Sequence, residues 1–122
     1  MNNTVLPITL TNGEKAGLTY FFRGLNVVFA KNPDFRETWN GLIAKGSTDV
    51  LDIITGLYIG YLCGQIVRKD GKCTLPAEVY ALEEFTDLLP QEIPFIFKTW
   101  AALISPKKPT VSASRSSAKQ GS

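Results

Sequence analysis

Val50-Leu51-Asp52-Ile53-Ile54-Thr55-Gly56-Leu57-Tyr58-Ile59-Gly60-Tyr61-Leu62-Cys63-Gly64-Gln65-Ile66-Val67 is apolar on nearly every side, and its reading decides the fold. Two environments accept such a run. Gly56, Gly60 and Gly64 at a spacing of four match the small-residue stripe by which membrane helices pack. A spanning helix, however, needs roughly 20 apolar residues, and Asp52, Thr55 and Gln65 interrupt this one. The flanking segments are amphipathic. The run therefore reads as the central, wholly buried helix of a small bundle, with a single membrane span over residues 50–67 as the competing reading. Ser47-Thr48-Asp49 supplies capping oxygens and a carboxylate for its start. Arg68 and Lys69 suit its C-terminal end, Asp70-Gly71 turns the chain, and the helix is expected over residues 48–67.

Working back toward the N-terminus, Asp34 to Lys45 places Phe35, Trp39, Leu42 and Ile43 three to four apart, and Gly46 stops the segment. Residues 20–31 put Phe21, Leu25, Val28 and Phe29 on one helical face with Arg23 and Asn26 opposite, although the aromatic and β-branched content also fits a strand. Asn32-Pro33 ends it, because a residue before proline is driven out of the α region. Before that, residues 5–10 alternate as a short strand, and Thr11-Asn12-Gly13-Glu14 carries the Asn-Gly hairpin signal. A second strand at residues 15–19 closes a β-hairpin, weakened by Gly17.

Toward the C-terminus, Thr74-Leu75-Pro76-Ala77-Glu78 has the hydroxyl, early proline and acid of a helix start. Val79, Leu82, Phe85, Leu88 and Leu89 form the stripe, and Pro90 ends it. A last helix opens at Pro94 with Phe95, Ile96, Phe97, Trp100, Leu103 and Ile104 as its apolar set. The fold class expected is thus mainly α: a bundle of four to five helices with an N-terminal β-hairpin. Residues 1–104 form the domain and residues 105–122 a disordered tail of Ser, Ala, Lys, Pro and Gly that cannot bury enough surface to offset ordering.

The 122 residues leave room for one domain, and 44% hydrophobic with 20% charged residues is ordinary for a globular chain. The net charge of +2 is unevenly placed. Lys107, Lys108, Arg115 and Lys119 lie in the tail, so the body is slightly acidic and shows no basic face of the kind nucleic acids select. No aromatic residue is interleaved with the tail cations for base stacking.

With no histidine, the commonest general base and metal ligand is missing. Cys63 and Cys73 have no partner for a Cys/His site and read as free thiols in a reducing cytosol, although their spacing alone allows a disulfide. No phosphate-cradling glycine loop is present. Asp49 with Asp52, and Glu83 and Glu84 with Asp87, read as helix-end complements and a solvated face rather than an acid/base pair. No signal-peptide pattern is visible at Met1. The expectation is a non-enzymatic chain without cofactor or metal.

The element order now carries a resemblance. An Asn-Gly hairpin leads into a Phe- and Leu-rich helix, then the apolar run from Ser47 to Leu62, then Cys73-Thr74-Leu75-Pro76-Ala77-Glu78-Val79-Tyr80-Ala81-Leu82 opening an acidic-faced helix, then a final apolar helix and a polar tail. Over most of residues 6–104 this resembles the tail assembly chaperones of long-tailed bacteriophages, small proteins encoded just upstream of the tape-measure protein. The resemblance implies a chain that binds the aggregation-prone tape-measure protein, keeps it soluble and assists assembly of the tail tube around it, with the tail-tube protein as a further partner. It implies a homo-oligomer in the host bacterial cytoplasm, absent from the mature virion, with no nucleic acid and no membrane among its partners. That role needs exposed apolar grooves. Leu88, Phe95, Phe97, Trp100 and Ile104 are the candidate contact residues. A small regulatory adaptor is the other reading, beside the membrane span.

Overall fold

The computed structural model describes residues 5–104. Five helices and two short antiparallel hairpins follow the order β1 (Leu6–Thr9), β2 (Lys15–Leu18), α1 (Phe22–Lys31), α2 (Pro33–Ala44), α3 (Val50–Gln65), β3 (Val67–Lys69), β4 (Lys72–Thr74), α4 (Leu82–Leu88) and α5 (Ile93–Ile104). The mainly helical class with an N-terminal hairpin is as expected. The tail expected at 105–122 lies outside the described residues.

Helix α3 is the axis of the molecule. Every residue from 56 to 63 is buried, and all the helices and the first hairpin gather on it. Its cap is Asp49, whose Oδ1 accepts from the Leu51 N–H at 2.9 Å, while Ser47 Oγ donates to Asp52 at 3.1 Å. These bonds satisfy a free N–H of the first turn and place negative charge against the helix dipole. The helix stops at Gln65, two residues before the expected end, because Ile66 turns to extended backbone and the β-branched pair Ile66-Val67 favours a strand. Among the described residues no helix is long and apolar enough to cross a membrane.

The glycine stripe is consumed inside the molecule. A Cβ at Gly56 would stand 2.9 Å from Leu42 and from the Trp100 ring, and one at Gly60 would stand 3.1 Å from the Tyr20 ring. At Gly64 it would meet the backbone oxygen of Gly17 at 2.2 Å. The absence of side chains lets β2, Tyr20 and Trp100 lie directly on the helix. Gly17, expected to weaken the strand, is therefore one half of a backbone-to-backbone seam. Tyr20 completes the contact by donating its hydroxyl to the Gly56 carbonyl at 2.8 Å, and the Thr19 N–H donates to the Gly60 carbonyl at 3.2 Å.

Hairpin β1–β2 pairs Ile8 with Ala16 and Leu6 with Leu18, and Ile8, Leu10, Ala16 and Leu18 all point into the core. Its loop is Thr11-Asn12-Gly13, closed by Leu10 N–H to Glu14 O at 2.8 Å and Gly13 N–H to Leu10 O at 2.9 Å. Only Gly13 takes positive φ, at 88°. This is the three-residue turn ending in a left-handed glycine rather than the two-residue turn that Asn-Gly suggests.

Two rings of aromatics flank α3. Tyr20, Trp39 and Trp100 meet with centroids 4.7 to 6.2 Å apart on one side. Phe35, Tyr58, Tyr61 and Phe85 meet at 5.0 to 5.9 Å on the other. Leu18, Leu57, Ile59 and Phe85 are completely buried, each worth about 1.5–3 kcal/mol relative to exposure.

Two stretches depart from the sequence reading. Residues 66–74, expected as helix end and turn, form the second hairpin: Asp70 (φ 53°) and Gly71 (φ 75°) make the two-residue turn with both central residues left-handed. The helix expected from Thr74 begins only at Leu82, and residues 75–81 form neither helix nor strand, with a bend at Ala77. Leu75 before Pro76 disfavours helix. Beyond it, Tyr80 has both backbone groups taken by α3: its N–H donates to the Tyr61 hydroxyl at 3.0 Å, and its carbonyl accepts from the Tyr58 hydroxyl at 2.6 Å. Backbone groups so engaged are not available for a helical ladder. The helix then starts where Glu84 accepts from the Ala81 N–H at 2.9 Å.

Candidate functional site

Helices α4 and α5 are joined by Leu89-Pro90-Gln91-Glu92, and this joint is held firmly. Pro90 keeps Leu89 extended, the Leu89 N–H still donates to Phe85 O at 3.0 Å, and Gln91 Nε2 donates to the carbonyls of Thr86 (2.9 Å) and Leu89 (2.5 Å). The side-chain amide thus bonds carbonyls at the end of α4, where the helical ladder runs out and Thr86 O keeps only a 3.4 Å bond from the Leu89 N–H. Across from the joint lies the first turn of α3. Between them opens a cleft of about 170 Å³ walled by Val50, Ile54, Leu89, Pro90, Ile93 and Ile96. Thr86, Gln91 and Glu92 form its polar rim.

The cleft is apolar, shallow and open, with room on the order of a single large side chain. Its lip is apolar as well, since Ile93 is 58% exposed. An apolar slot with an apolar lip and few polar groups fits the side chains that an amphipathic helix presents at i, i+3 and i+4.

The five residues expected to make protein contacts fall into different places. Trp100 is only 6% exposed and belongs to the core, edge-on to Trp39 and lying over Gly56. Leu88 and Phe95 are partly buried against the core, and the Leu88 carbonyl accepts from the Thr11 N–H at 2.8 Å. Phe97 and Ile104 are exposed. None of the five lines the cleft, whose apolar walls are instead Val50, Ile54, Leu89, Ile93 and Ile96. The signal for two of these was at hand, since Ile93 and Ile96 are three apart around Pro94, where the helix was expected to open. Val50, Ile54 and Leu89 reach the cleft through tertiary packing alone.

A second, larger cleft of about 450 Å³ lies where the β1–β2 hairpin, the end of α3 and residues 78–80 meet. Leu10, Tyr61 and Val79 wall it, with Glu14, Glu78 and Glu84 facing one cation, Lys15. Tyr80 spans its edge: its hydroxyl donates to Glu14, and the Asn12 side chain donates to that hydroxyl at 3.4 Å. The bond to the Glu14 carboxylate raises the Tyr80 phenol above the ordinary tyrosine range.

Both cysteines are free thiols. Burial pushes the Cys63 thiol up to about 12, so at neutral pH it behaves as a small apolar side chain. Burial likewise holds the Tyr20 phenol well above its usual range. Among the described residues no group of three or more His, Cys, Asp or Glu side chains could hold a metal ion. No protein-family model, curated protein or solved structure matches the chain.

Proposed function

We propose that this chain is a non-enzymatic tail assembly chaperone that receives amphipathic helices of the tape-measure protein in the cleft between α3, α4 and α5. The observation that carries the reading is that cleft, with Val50, Ile54, Leu89 and Ile96 as walls and the exposed Ile93 at its lip. The likeness of the element order to that chaperone family supplies the client. A slot this small gives weak binding per copy. A long helical client with a recurring apolar stripe engages many copies in series, and linked weak contacts then add to a firm hold. The chaperone works in the host bacterial cytoplasm, keeps the client's apolar stripe from self-association, and yields it to the tail-tube protein during assembly.

Co-expression with the tape-measure protein encoded downstream tests this. The wild-type chain is expected to bring that client into a soluble complex holding many copies of the chaperone. Ile93→Asp, at an exposed position, should leave the fold within about 0.5 kcal/mol of wild type and abolish solubilisation. A client that precipitates beside the wild-type chain, or that Ile93→Asp solubilises equally well, contradicts the reading.

A further inference from the structure

Hairpin β3–β4 pairs Val67 with Thr74, Arg68 with Cys73 and Lys69 with Lys72. Side chains alternate along a strand, so the hairpin has two unlike faces. Arg68 and the half-buried Cys73 share the inner face, where the Arg68 guanidinium sits 4.2 Å over the Phe21 ring. Val67, Lys69, Lys72 and Thr74 share the outer face, and all four are exposed. Lys69 and Lys72 stand directly opposite each other, an arrangement that is unfavourable for like charges. Neither has an ion-pair partner among the described residues. At the turn, Arg23 Nη2 donates to the Gly71 carbonyl at 2.5 Å and adds a further cation to the group. Helix α1 contains no acidic residue, and Asp70 is the hairpin's one carboxylate. Beside Arg23 in the chain, Phe22 is left 74% exposed, and Val67 is exposed too.

We propose that this hairpin, with the first turn of α1, is a peripheral docking surface for an anionic phospholipid bilayer. Shape favours a lipid surface over a peptide. The patch is a projection, and none of its residues lines either cleft, whereas a bound peptide segment needs a groove or pockets for its side chains. The negative potential of anionic headgroups attracts Arg23, Lys69 and Lys72 and relieves the repulsion across the lysine pair. Phe22 and Val67 then enter the headgroup layer as the apolar part of the contact. Few residues take part, so the chain lies on the bilayer reversibly and the contact weakens with salt. It goes beyond the proposed chaperone role, whose family implies no membrane partner. It does not involve the cleft at Ile93, so the two readings stand or fall separately.

Co-sedimentation of the full chain with vesicles tests it. Vesicles of phosphatidylcholine and phosphatidylglycerol in equal parts should bind the chain near about 50 mM salt, and at least about tenfold more weakly near about 500 mM. Vesicles of phosphatidylcholine alone should not bind it. Lys69→Glu with Lys72→Glu should weaken binding to the anionic vesicles at least about tenfold. Phe22→Ser should weaken it at least about threefold. These are exposed side chains, so circular dichroism and melting should stay as in wild type. Phe22→Trp supplies a direct readout, since Trp39 and Trp100 are buried, and the added indole should shift its emission to the blue on anionic vesicles. No binding at low salt, equal binding to neutral vesicles, or hairpin reversals without effect would overturn the proposal. So would loss of binding on Lys107→Glu with Lys108→Glu while the hairpin reversal leaves it intact, because the tail would then be the contact. An oligonucleotide or polyglutamate that binds through Lys69 and Lys72 while anionic vesicles do not would likewise overturn it.

Discussion

The β1–β2 hairpin turns at Asn12-Gly13 and the β3–β4 hairpin at Asp70-Gly71, yet the first is a wall of the core and the second stands in solvent. The turn chemistry is similar, and the difference lies in what the strands offer α3. In the first, alternate residues Ile8, Leu10, Ala16 and Leu18 give one apolar face, and Gly64 lets the Gly17 carbonyl lie against α3. In the second, Val67-Arg68-Lys69 and Lys72-Cys73-Thr74 have no apolar face, so the hairpin is held from one side by Arg23 and Arg68. A hairpin that packs into a core is structural. One that the rest of the fold leaves uncovered has its surface available for a partner.

The comparison breaks most severely at the seam. Gly64→Ala forces a methyl group against the Gly17 carbonyl, a backbone atom that cannot swing aside. We expect a loss of about 3 kcal/mol, the upper end of the range for overpacking, measurable by denaturant unfolding. Gly71→Ala, in the open turn of the second hairpin, meets no neighbour and disfavours only the left-handed backbone there. It should lose about 1 kcal/mol, near the per-residue penalty for a left-handed conformation.

Residues 75–81, which follow the second hairpin, hang from α3 by Tyr80. Tyr61→Phe removes the acceptor of the Tyr80 N–H and keeps the ring that stacks on Phe85. An expected loss of about 1 kcal/mol in the same assay reflects one hydrogen bond. The smallest effect is at the exposed end. Lys69→Ala with Lys72→Ala should shift stability by less than about 0.5 kcal/mol, because neither side chain takes part in the core. A large loss there would mean that the second hairpin is as structural as the first.

What the sequence made legible follows the same division. Local signals located the apolar axis, the Asn-Gly hairpin, and the start of α2 to within a residue, at Pro33 or Asp34. Long-range contacts overrode local ones elsewhere. Thr74-Leu75-Pro76-Ala77-Glu78 has every mark of a helix start, but the hydroxyls of Tyr58 and Tyr61 occupy both backbone groups of Tyr80. Asp70-Gly71 was readable as a turn; the strands beside it are three residues long and lack alternation, the pattern by which strands are recognised. At the candidate site the apolar richness of α5 pointed to the right helix and not to the right side of it. Trp100 turns inward because Gly56 opens a slot for its ring, a fact that belongs to α3 and is invisible in the stripe of α5.

We propose that the α3–α4–α5 cleft receives an amphipathic helix, while the first hairpin is sealed against α3. Amide hydrogen exchange of the full chain, with and without a helical segment of the tape-measure protein, tests it most directly. Slowed exchange is expected in the first turn of α3 and at residues 91–96, with β1 and β2 unchanged. Exchange that is unaltered at the cleft while the segment is bound, or slowed at the first hairpin instead, would contradict it.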